Sequence, residues 1–285
     1  MENIHNLILI LALPMLACVV LTGIHCYLGI HVLMRKVIFV DLALAQVAAL
    51  GSAVGAVIGI GVDTISNYGF ALMFTMIGAL LFALGKFKDR RIPQEAVIGI
   101  VYAVSSAISL LVLSKSAVER DEVESMLTGR LLFVDKHEII KTVIIYSLIA
   151  LVHLVFAKKF FALSRDHHTD ARSKLWDFLF YATFGVVVTS SVRMAGVLLV
   201  FSYLIVPAAC AMMFLRQVRP RLFFGWGVGL LGSLLGLIIS ATWDFPVGPS
   251  IVAVFGLLFL LCAAIYSILP KRHPEDTLDT AAEGI

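Results

Sequence analysis

Three polar side chains lie inside long apolar stretches of this sequence. Asp41 and Gln46 fall in KVIFVDLALAQVAALG, residues 36–51, and His25 falls in the apolar run before it. A carboxylate, an amide and an imidazole can all ligate a cation, and oxygen groups prefer the harder metals. Because ionisable groups are costly to place among apolar residues, they are candidates for a functional site. We therefore predict that Asp41, Gln46 and His25 line the path of a cation.

Each candidate also has a purely structural explanation. Asp41 lies about one turn from the start of its predicted helix, where the helix dipole favours a negative charge, and Arg35 is available as a partner. His25 is equally explained as a neutral imidazole bonded to nearby backbone. His31 and His153 lie near predicted helix ends, and we expect both at the membrane interface.

The stretch DHHTD, residues 166–170, offers two imidazoles and two carboxylates. The adjacent residues His167 and His168 would point to different sides of a helix, so they would not converge on one ion. Zinc sites need ligands at convincing spacings, and the sequence contains none. A solvated segment explains these residues without a metal.

The elements that must position the candidates are membrane-spanning helices. The chain of 285 residues is 60% hydrophobic and 14% charged, with a mean hydropathy of +1.00. Its apolar runs are near the length of about 20 residues that crosses a bilayer as a helix. A β-barrel would need shorter, alternating segments. The predicted fold is an all-α integral membrane bundle, for which the net charge of +3 indicates no nucleic acid partner.

The apolar runs predict nine spans. They cover approximately residues 7–33, 37–60, 68–85, 95–113, 138–157, 175–192, 194–215, 222–242 and 249–269. The connections that follow the odd-numbered spans hold 16 of the 22 Lys and Arg residues. Since cytoplasmic loops collect basic residues, we expect the N-terminus outside and the C-terminus in the cytoplasm of a bacterium. The first span follows no basic region of the kind that opens a signal peptide, so we expect it to be retained.

Small residues recur along the second predicted span. Gly51, Gly55 and Gly59 are four positions apart, a spacing that lets helix backbones approach closely in a membrane. This row predicts tight packing inside one subunit, or alternatively at a subunit interface. Pro207, in the seventh span, frees one backbone carbonyl that neighbouring helices must cover. The four cysteines lie in apolar runs and predict buried thiols instead of a disulfide framework.

Two segments outside the spans have distinct patterns. The connection 115–137 contains the apolar stretch RLLFV just after Gly129, which predicts a segment that dips into the membrane or lies on its outer surface. Residues 271–285 are polar without a hydrophobic face and predict a disordered cytoplasmic tail. Residues 1–270 are predicted to form one transmembrane domain.

Three stretches together resemble the permease subunits of bacterial ABC importers for zinc, manganese or iron. They are HVLMRKVIFVDLALAQVAALG (31–51), LTGRLLFV (127–134) and AGVLLVFSYLIVPAACAMMF (195–214), in the order and spacing of that family. The resemblance implies a type II ABC importer fold, a homodimer, alternating access, two cytoplasmic ABC ATPases and an extracellular or periplasmic metal-binding protein. ATP would bind to the partner, and the transported divalent metal would be the only ion handled by this subunit.

The chain departs from the motif of this family, G-D-x-x-x-H with a glycine five residues after the histidine. Gln46 stands at the histidine position and Leu42 at the aspartate position, while Asp41 is one place early. An oxygen-only set of Asp41 and Gln46 would favour harder cations than zinc. These two residues are five positions apart, so they diverge by about 140° around a helix.

Residues 158–174 match the place of the helix that couples such permeases to their ATPase. LSRD (163–166) resembles the start of that helix. The resemblance assigns contact with the ATPase to Ser164, Arg165, Asp166, His167, His168 and Asp170. The alternative is an ordinary basic loop.

Other classes of membrane protein remain as alternatives. A permease for chelated iron or a cobalamin-like ligand would need a roomier, less charged path. An ion-coupled secondary transporter would need several deep carboxylates, whereas Asp41 is the one available. An intramembrane enzyme would need a motif such as H-E-x-x-H, and an ATPase a phosphate loop; the sequence has neither. The predicted function is therefore a transport subunit and not an enzyme.

Overall fold

The computed structural model describes residues 2–61, 64–85, 92–114, 129–165 and 171–269, apart from the side chains of residues 2–9, 171 and 172. These ranges contain ten α-helices and one short 3₁₀ turn, with no β-strand. The helices are α1 (Glu2–Arg35), α2 (Val40–Val57), α3 (Ile65–Leu84), α4 (Gln94–Leu113), α5 (Lys136–Val155), α6 (Ala157–Arg165), α7 (Ala171–Ala195), α8 (Val197–Phe214), α9 (Val218–Trp243) and α10 (Val247–Ile268). The turn η1 covers Leu131–Phe133. The predicted tail, 271–285, lies outside the described residues.

Nine of these helices are long and apolar enough to cross a membrane. Among the helices of the described ranges, only α6, with nine residues, is too short to cross a membrane. The all-α membrane fold with nine spans is therefore confirmed, and the chain is a multi-pass membrane protein. Spans of this kind form helices because only internal hydrogen bonds can satisfy the backbone in hydrocarbon.

The break between α7 and α8 lies at Gly196, whereas the predicted spans 175–192 and 194–215 meet at residue 193. Gly196 has φ 79°, a left-handed conformation that glycine adopts without strain. The N–H of Arg130 donates to the carbonyl of Met194 across 3.1 Å. A Cβ on Gly129 would collide with the backbone of Ala195, so the segment before η1 packs directly on this break. Helix α7 therefore ends at Ala195, three residues after the end of the predicted span at residue 192.

The helices pack in two groups that share α7. Helix α2 packs chiefly on α3 and α4, and α7 joins this group through α3. Helix α1 packs on α8 and α9, and α10 completes that group. Large side chains of α7, including Phe180, Tyr181 and Phe184, are fully buried between the groups. Helices α4 and α10 are the least buried spans and present their apolar outer faces to lipid or to another subunit.

Gly51 and Gly55 lie where α2 crosses α3. A Cβ on Gly51 would come within 2.6 Å of the Phe70 carbonyl oxygen, and one on Gly55 within 2.8 Å of Asn67 Nδ2. The expectation that Gly59 continues this row is corrected by the structure. Gly59 lies beyond the end of α2 with φ 89°, and a Cβ there would meet no atom within 4 Å. It is a turn residue, because the helix ends at Val57 before the row is complete.

Pro207 is buried in the interior of α8. It removes the hydrogen bond that would reach the Tyr203 carbonyl, four residues earlier. Glycines on two neighbouring helices allow a close approach to α8: a Cβ on Gly29 would collide with the Leu204 carbonyl, and one on Gly225 would lie 3.2 Å from the Pro207 carbonyl oxygen. The four cysteines are free thiols.

Candidate functional site

Asp41 lies in the first turn of α2 and is 1% exposed. Neither of its carboxylate oxygens has a hydrogen-bond partner among the described residues. Arg35, the partner considered from sequence, instead bonds Asp177 across 2.7 Å. A carboxylate near a helix N-terminus is favoured by the dipole, but a buried one still lacks the bonds that water would provide. Asp41 is therefore a buried oxygen donor with free ligand positions.

Glu95 is a second carboxylate at this end of the bundle, and the sequence analysis did not single it out. It lies in the first turn of α4, and its Oε1 accepts a hydrogen bond of 3.0 Å from the N–H of Phe39, the N-cap of α2. Its Oε2 is buried without a partner among the described residues. The starts of α2 and α4 thus bring two carboxylates into one region, because Glu95 bonds the backbone of Phe39, two residues before Asp41. Carboxylate oxygens are the ligands that hard divalent cations prefer.

Gln46 is half-buried one turn further along α2. It shares the less buried face of the helix with Leu42, four residues before it, whereas Asp41 faces the buried side. The described contacts include no hydrogen bond between Gln46 and Asp41. The structure therefore keeps the two on different sides of α2, as their five-residue spacing predicted.

His25 is fully buried, and its own helix and α7 supply partners to its ring. Its Nδ1 lies 2.8 Å from the Leu21 carbonyl oxygen, to which it donates, and its Nε2 lies 3.0 Å from the Ser191 hydroxyl. The Ser191 hydroxyl in turn contacts the Tyr146 hydroxyl at 2.6 Å. A cation would have to displace one of these bonds to reach the imidazole. This geometry agrees with the structural explanation for His25, and its role in a path stays a prediction.

The three predicted path residues do not converge in one chain. His25 contacts α5 and α7, Asp41 lies beside the start of α4, and Gln46 lies on the less buried side of α2. Within the ranges that the structure describes, no three His, Cys, Asp or Glu side chains lie close enough to hold a metal ion. A site with more ligands would need backbone carbonyls, amide oxygens or water, or groups from outside those ranges or from another molecule.

Helix α6 forms within the segment that was predicted to contact an ATPase. Its inner face buries Phe160 and Ser164, while Lys158, Lys159 and Arg165 are exposed. The result is a short amphipathic helix with a basic outer surface. Of the residues assigned to coupling, Ser164 and Arg165 are on α6, and Asp166, His167, His168 and Asp170 lie outside the described residues.

His31 and His153 are buried within the protein, and their expected depth near the membrane interface stays a prediction. His31 is fully buried and His153 is 1% exposed. Aromatic rings pack around them, with Phe161 centred 4.2 Å from the His31 ring and Phe160 centred 4.4 Å from the His153 ring. These rings come from α6, which covers the helix ends that the sequence alone left open to water.

Polar side chains of α7 bond to four other helices. The pairs are Asp177 with Arg35 of α1, Tyr181 with Gln94 of α4, Thr183 with His153 of α5, Thr189 with Thr75 of α3, and Ser191 with His25 of α1. Sequence reasoning missed this series, although the run TSSVR at 189–193 is an unusual polar stretch within a span. Helix α7 can therefore pass a displacement at its start to most of the bundle.

The chain matches a known family over almost its whole length. Residues 8–266 match the model of the ABC 3 transport family. The chain belongs to the ABC 3 transport family. The matched range contains the first eight spans and all but the last two residues of the ninth, together with α6 and the region around Asp41 and Glu95. The resemblance to ABC importer permeases that three sequence stretches indicated is confirmed.

Relatives of this ABC 3 family member include transport proteins of several bacteria. A probable metal transport system membrane protein of Chlamydia pneumoniae is 24% identical over 245 residues, 81% of this chain and 80% of the relative. The manganese transport system membrane protein MntB of Synechocystis is 26% identical over 226 residues, 74% of each chain. The manganese import system permease protein ScaB of Streptococcus parasanguinis is 22% identical over 249 residues, 86% of this chain and 85% of the relative.

Two solved structures share the fold of this family member. PsaBC from Streptococcus pneumoniae, in complex with Fab, superposes with a TM-score of 0.71 at 20% identity, covering 89% of this chain and 90% of that one. A transporter of the metal-chelate ABC type, in an inward-facing conformation, superposes with a TM-score of 0.66 at 16% identity, covering 93% of this chain and 90% of that one. Both likenesses support the predicted type II importer architecture.

Proposed function

We propose that this chain is the membrane-spanning permease subunit of an ATP-driven importer of a divalent metal cation. The observation that carries the proposal is the family match over residues 8–266, which covers the nine-span bundle except for the last two residues of the ninth span. The names of the relatives as manganese and metal transport proteins support a metal as the cargo. The subunit itself performs no covalent chemistry; the partner ATPase hydrolyses ATP.

The cargo is a hard divalent cation, manganese or iron(II) in preference to zinc. The candidate ligands at the start of α2 and α4 are the carboxylates of Asp41 and Glu95, while Gln46, on the other side of α2, offers an amide oxygen to a path at that face. Zinc sites usually include imidazole or thiolate ligands, whereas oxygen groups suit harder metals. The buried oxygens of Asp41 and Glu95 that lack hydrogen-bond partners support this assignment.

The functional unit is a homodimer whose path lies between two copies of the chain. Within the described residues of one chain, no three His, Cys, Asp or Glu side chains come together, which supports a site shared with a second copy. The half-buried face of α2 that carries Gln46 is available to such a path, and a second copy would double the number of oxygen donors. Alternating access then opens this path first to the outside and then to the cytoplasm.

The end of the bundle that carries Arg35 and α6 faces the cytoplasm. The concentration of Lys and Arg in the connections at this end supports that orientation. The N-terminus then lies outside the cytoplasmic membrane, where an extracellular or periplasmic metal-binding protein delivers the cargo. On the opposite side, the basic surface of α6 docks the ABC ATPase.

Reconstituted transport tests this proposal. Proteoliposomes that contain the chain and its cognate ATPase, with ATP enclosed at the ATPase side and the metal-binding protein added outside, should accumulate Mn²⁺ or Fe²⁺ in preference to Zn²⁺. Proteoliposomes that contain the chain alone should accumulate none. Uptake by the chain alone would indicate a secondary transporter, and ATP-driven uptake of a metal chelate without uptake of free metal would contradict the proposed cargo.

A further inference from the structure

Arg35, the last residue of α1, joins three helices through different edges of one guanidinium group. Its Nε donates to the hydroxyl of Ser164 on α6 at 3.0 Å, and its Nη1 donates to Asp177 of α7 at 2.7 Å. The planar, rigid guanidinium fixes the angle between these two bonds. The position of Arg35 therefore sets the position of α6 relative to α7.

Ser164 is the contact through which α1 holds α6. Its hydroxyl donates to the Phe160 carbonyl in its own helix at 2.8 Å. Since the single hydroxyl hydrogen is used in that bond, both Arg35 Nε and His31 Nδ1, which lies 2.8 Å away, must donate to the oxygen. His31 thus carries its proton on Nδ1. The hydroxyl makes one bond as donor and two as acceptor, which is its full capacity.

The surroundings of this cluster keep water away from it. The side chains of Arg35 and Asp177 are 5% and 1% exposed, and Ser164 is 4% exposed. The guanidinium carbon of Arg35 lies 3.9 Å from the centre of the Phe180 ring. When one partner of a buried pair is removed, a charge is left without compensation, so the cluster resists partial opening. These three helices are expected to move as one body.

We propose that Arg35, with His31 and Ser164, is the latch that couples α6 to spans α1 and α7. The proposal rests on the proposed function, because α6 is the element that docks the ATPase. A displacement of α6 by the ATPase is passed through Ser164 to α1, and through Arg35 and Asp177 to α7. Helix α7 then passes it to α3, α4 and α5 through its polar side chains. Arg35, His31 and Ser164 are positioning residues, since none of them touches the cargo.

The test combines transport coupling with the local stability of α6. The full chain with its cognate ATPase is reconstituted as Ser164→Ala and as Arg35→Lys, which keeps the charge but cannot bridge α6 and α7 in the same geometry. Both variants should still hydrolyse ATP, and the Mn²⁺ or Fe²⁺ transported per ATP should fall by about five-fold, within the range of allosteric coupling. Ser164→Thr, which retains the hydroxyl, should restore most of the ratio.

Hydrogen exchange of the α6 amides provides a second measurement that does not depend on transport. Exchange across Ala157–Arg165 should be faster in Ser164→Ala than in the unmodified chain. Ser202→Ala is the matched control, because Ser202 is 6% exposed and its hydroxyl bonds the Leu198 carbonyl in its own helix. That control should change neither the ratio nor the exchange of α6.

The outcomes separate the two proposals. Unchanged α6 exchange in Ser164→Ala would show that the hydroxyl does not hold the helix and would overturn the latch. Faster exchange with an unchanged metal-to-ATP ratio would make the cluster merely structural and would also overturn it. If the unmodified chain shows no ATP-driven uptake at all, the proposed function fails, while α6 exchange still decides whether Ser164 holds α6.

Discussion

Asp41 is the residue whose replacement tests the cation path most directly. Asp41→Asn keeps the size of the side chain but removes the charge that would attract a divalent ion. We expect ATP-driven uptake of Mn²⁺ or Fe²⁺ to fall by about ten-fold, the lower end of the losses seen when groups that support a metal site are replaced. Uptake is measured at several metal concentrations in proteoliposomes with the ATPase present, so that a loss of affinity can be distinguished from a loss of rate.

Asp135→Asn provides the control for this substitution. Asp135 is exposed, and its side chain caps α5 by accepting the N–H of Glu138 at 2.7 Å. Asparagine is as good an N-cap as aspartate, so we expect neither the fold nor the uptake to change. Equal uptake by the Asp41 and Asp135 variants would show that Asp41 only stabilises the end of α2.

Ser190 and Ser191 are adjacent residues that allow the network around His25 to be measured. Ser191 bonds His25 of α1 and Tyr146 of α5, whereas Ser190 donates to the Val186 and Val187 carbonyls of its own helix. Hydrogen bonds between membrane helices contribute about 0.6 kcal/mol on average. Ser191→Ala should therefore lower the free energy of unfolding in detergent by about 1 kcal/mol, and Ser190→Ala by much less. Equal losses would show that the contact with His25 adds no stability.

At this scale the sequence indicated single residues better than their partners. Asp41 could be identified because one carboxylate in an apolar run is conspicuous. Glu95 could not, because it follows the basic residues of a connection and resembles an ordinary surface charge. Arg35 was considered as a partner for Asp41 but bonds Asp177, which is 142 positions away. Pairings over such distances depend on which helices pack together, and local patterns do not contain that information.

Among the helices, α1 and α8 meet at Gly29, and this crossing can be tested within a single helix. A Cβ on Gly29 would collide with the Leu204 carbonyl, whereas one on Gly23 would meet nothing within 4 Å. Gly29→Ala should therefore separate α1 from α8 and destabilise the protein by about 1–3 kcal/mol, the usual cost of overpacking. Gly23→Ala should be neutral. Thermal unfolding of the two purified variants checks this prediction. Equal unfolding midpoints would mean that α1 can move away from α8 without a loss of stability.

The nine long helices were predictable because their length is set by the thickness of the bilayer. The ends of the helices were less predictable. Two breaks fall at Gly196 and Gly59, where φ is near +80° and +90°, and a glycine in the sequence does not by itself show that a helix ends there. The resemblance placed a helix within residues 158–174, but it did not give the bounds of α6, Ala157–Arg165. Nine residues form a marginal helix in isolation, so α6 depends on the burial of Phe160 and Ser164 against α1 and α7. Its partners were not visible in its own sequence.

For the molecule as a whole, the proposed function requires that α6 face the ATP-containing side of the membrane. Lys158, exposed on α6, and Ile65, 82% exposed at the start of α3, lie at opposite ends of the bundle. Both are replaced by cysteine, one at a time, in a chain with Cys262→Ala, since the other three native cysteines are buried. An impermeant maleimide applied to intact cells should label the Ile65→Cys chain and not the Lys158→Cys chain.

Permeabilised cells supply the control for this labelling, because both variants should then react to the same extent. The alternation of basic and neutral connections requires this result, since an error of one span would reverse the positions of all later loops. Labelling of Lys158→Cys in intact cells would place α6 outside. In that orientation no cytoplasmic ATPase could reach the latch formed by Arg35, His31 and Ser164, and ATP-driven import through this chain would be ruled out.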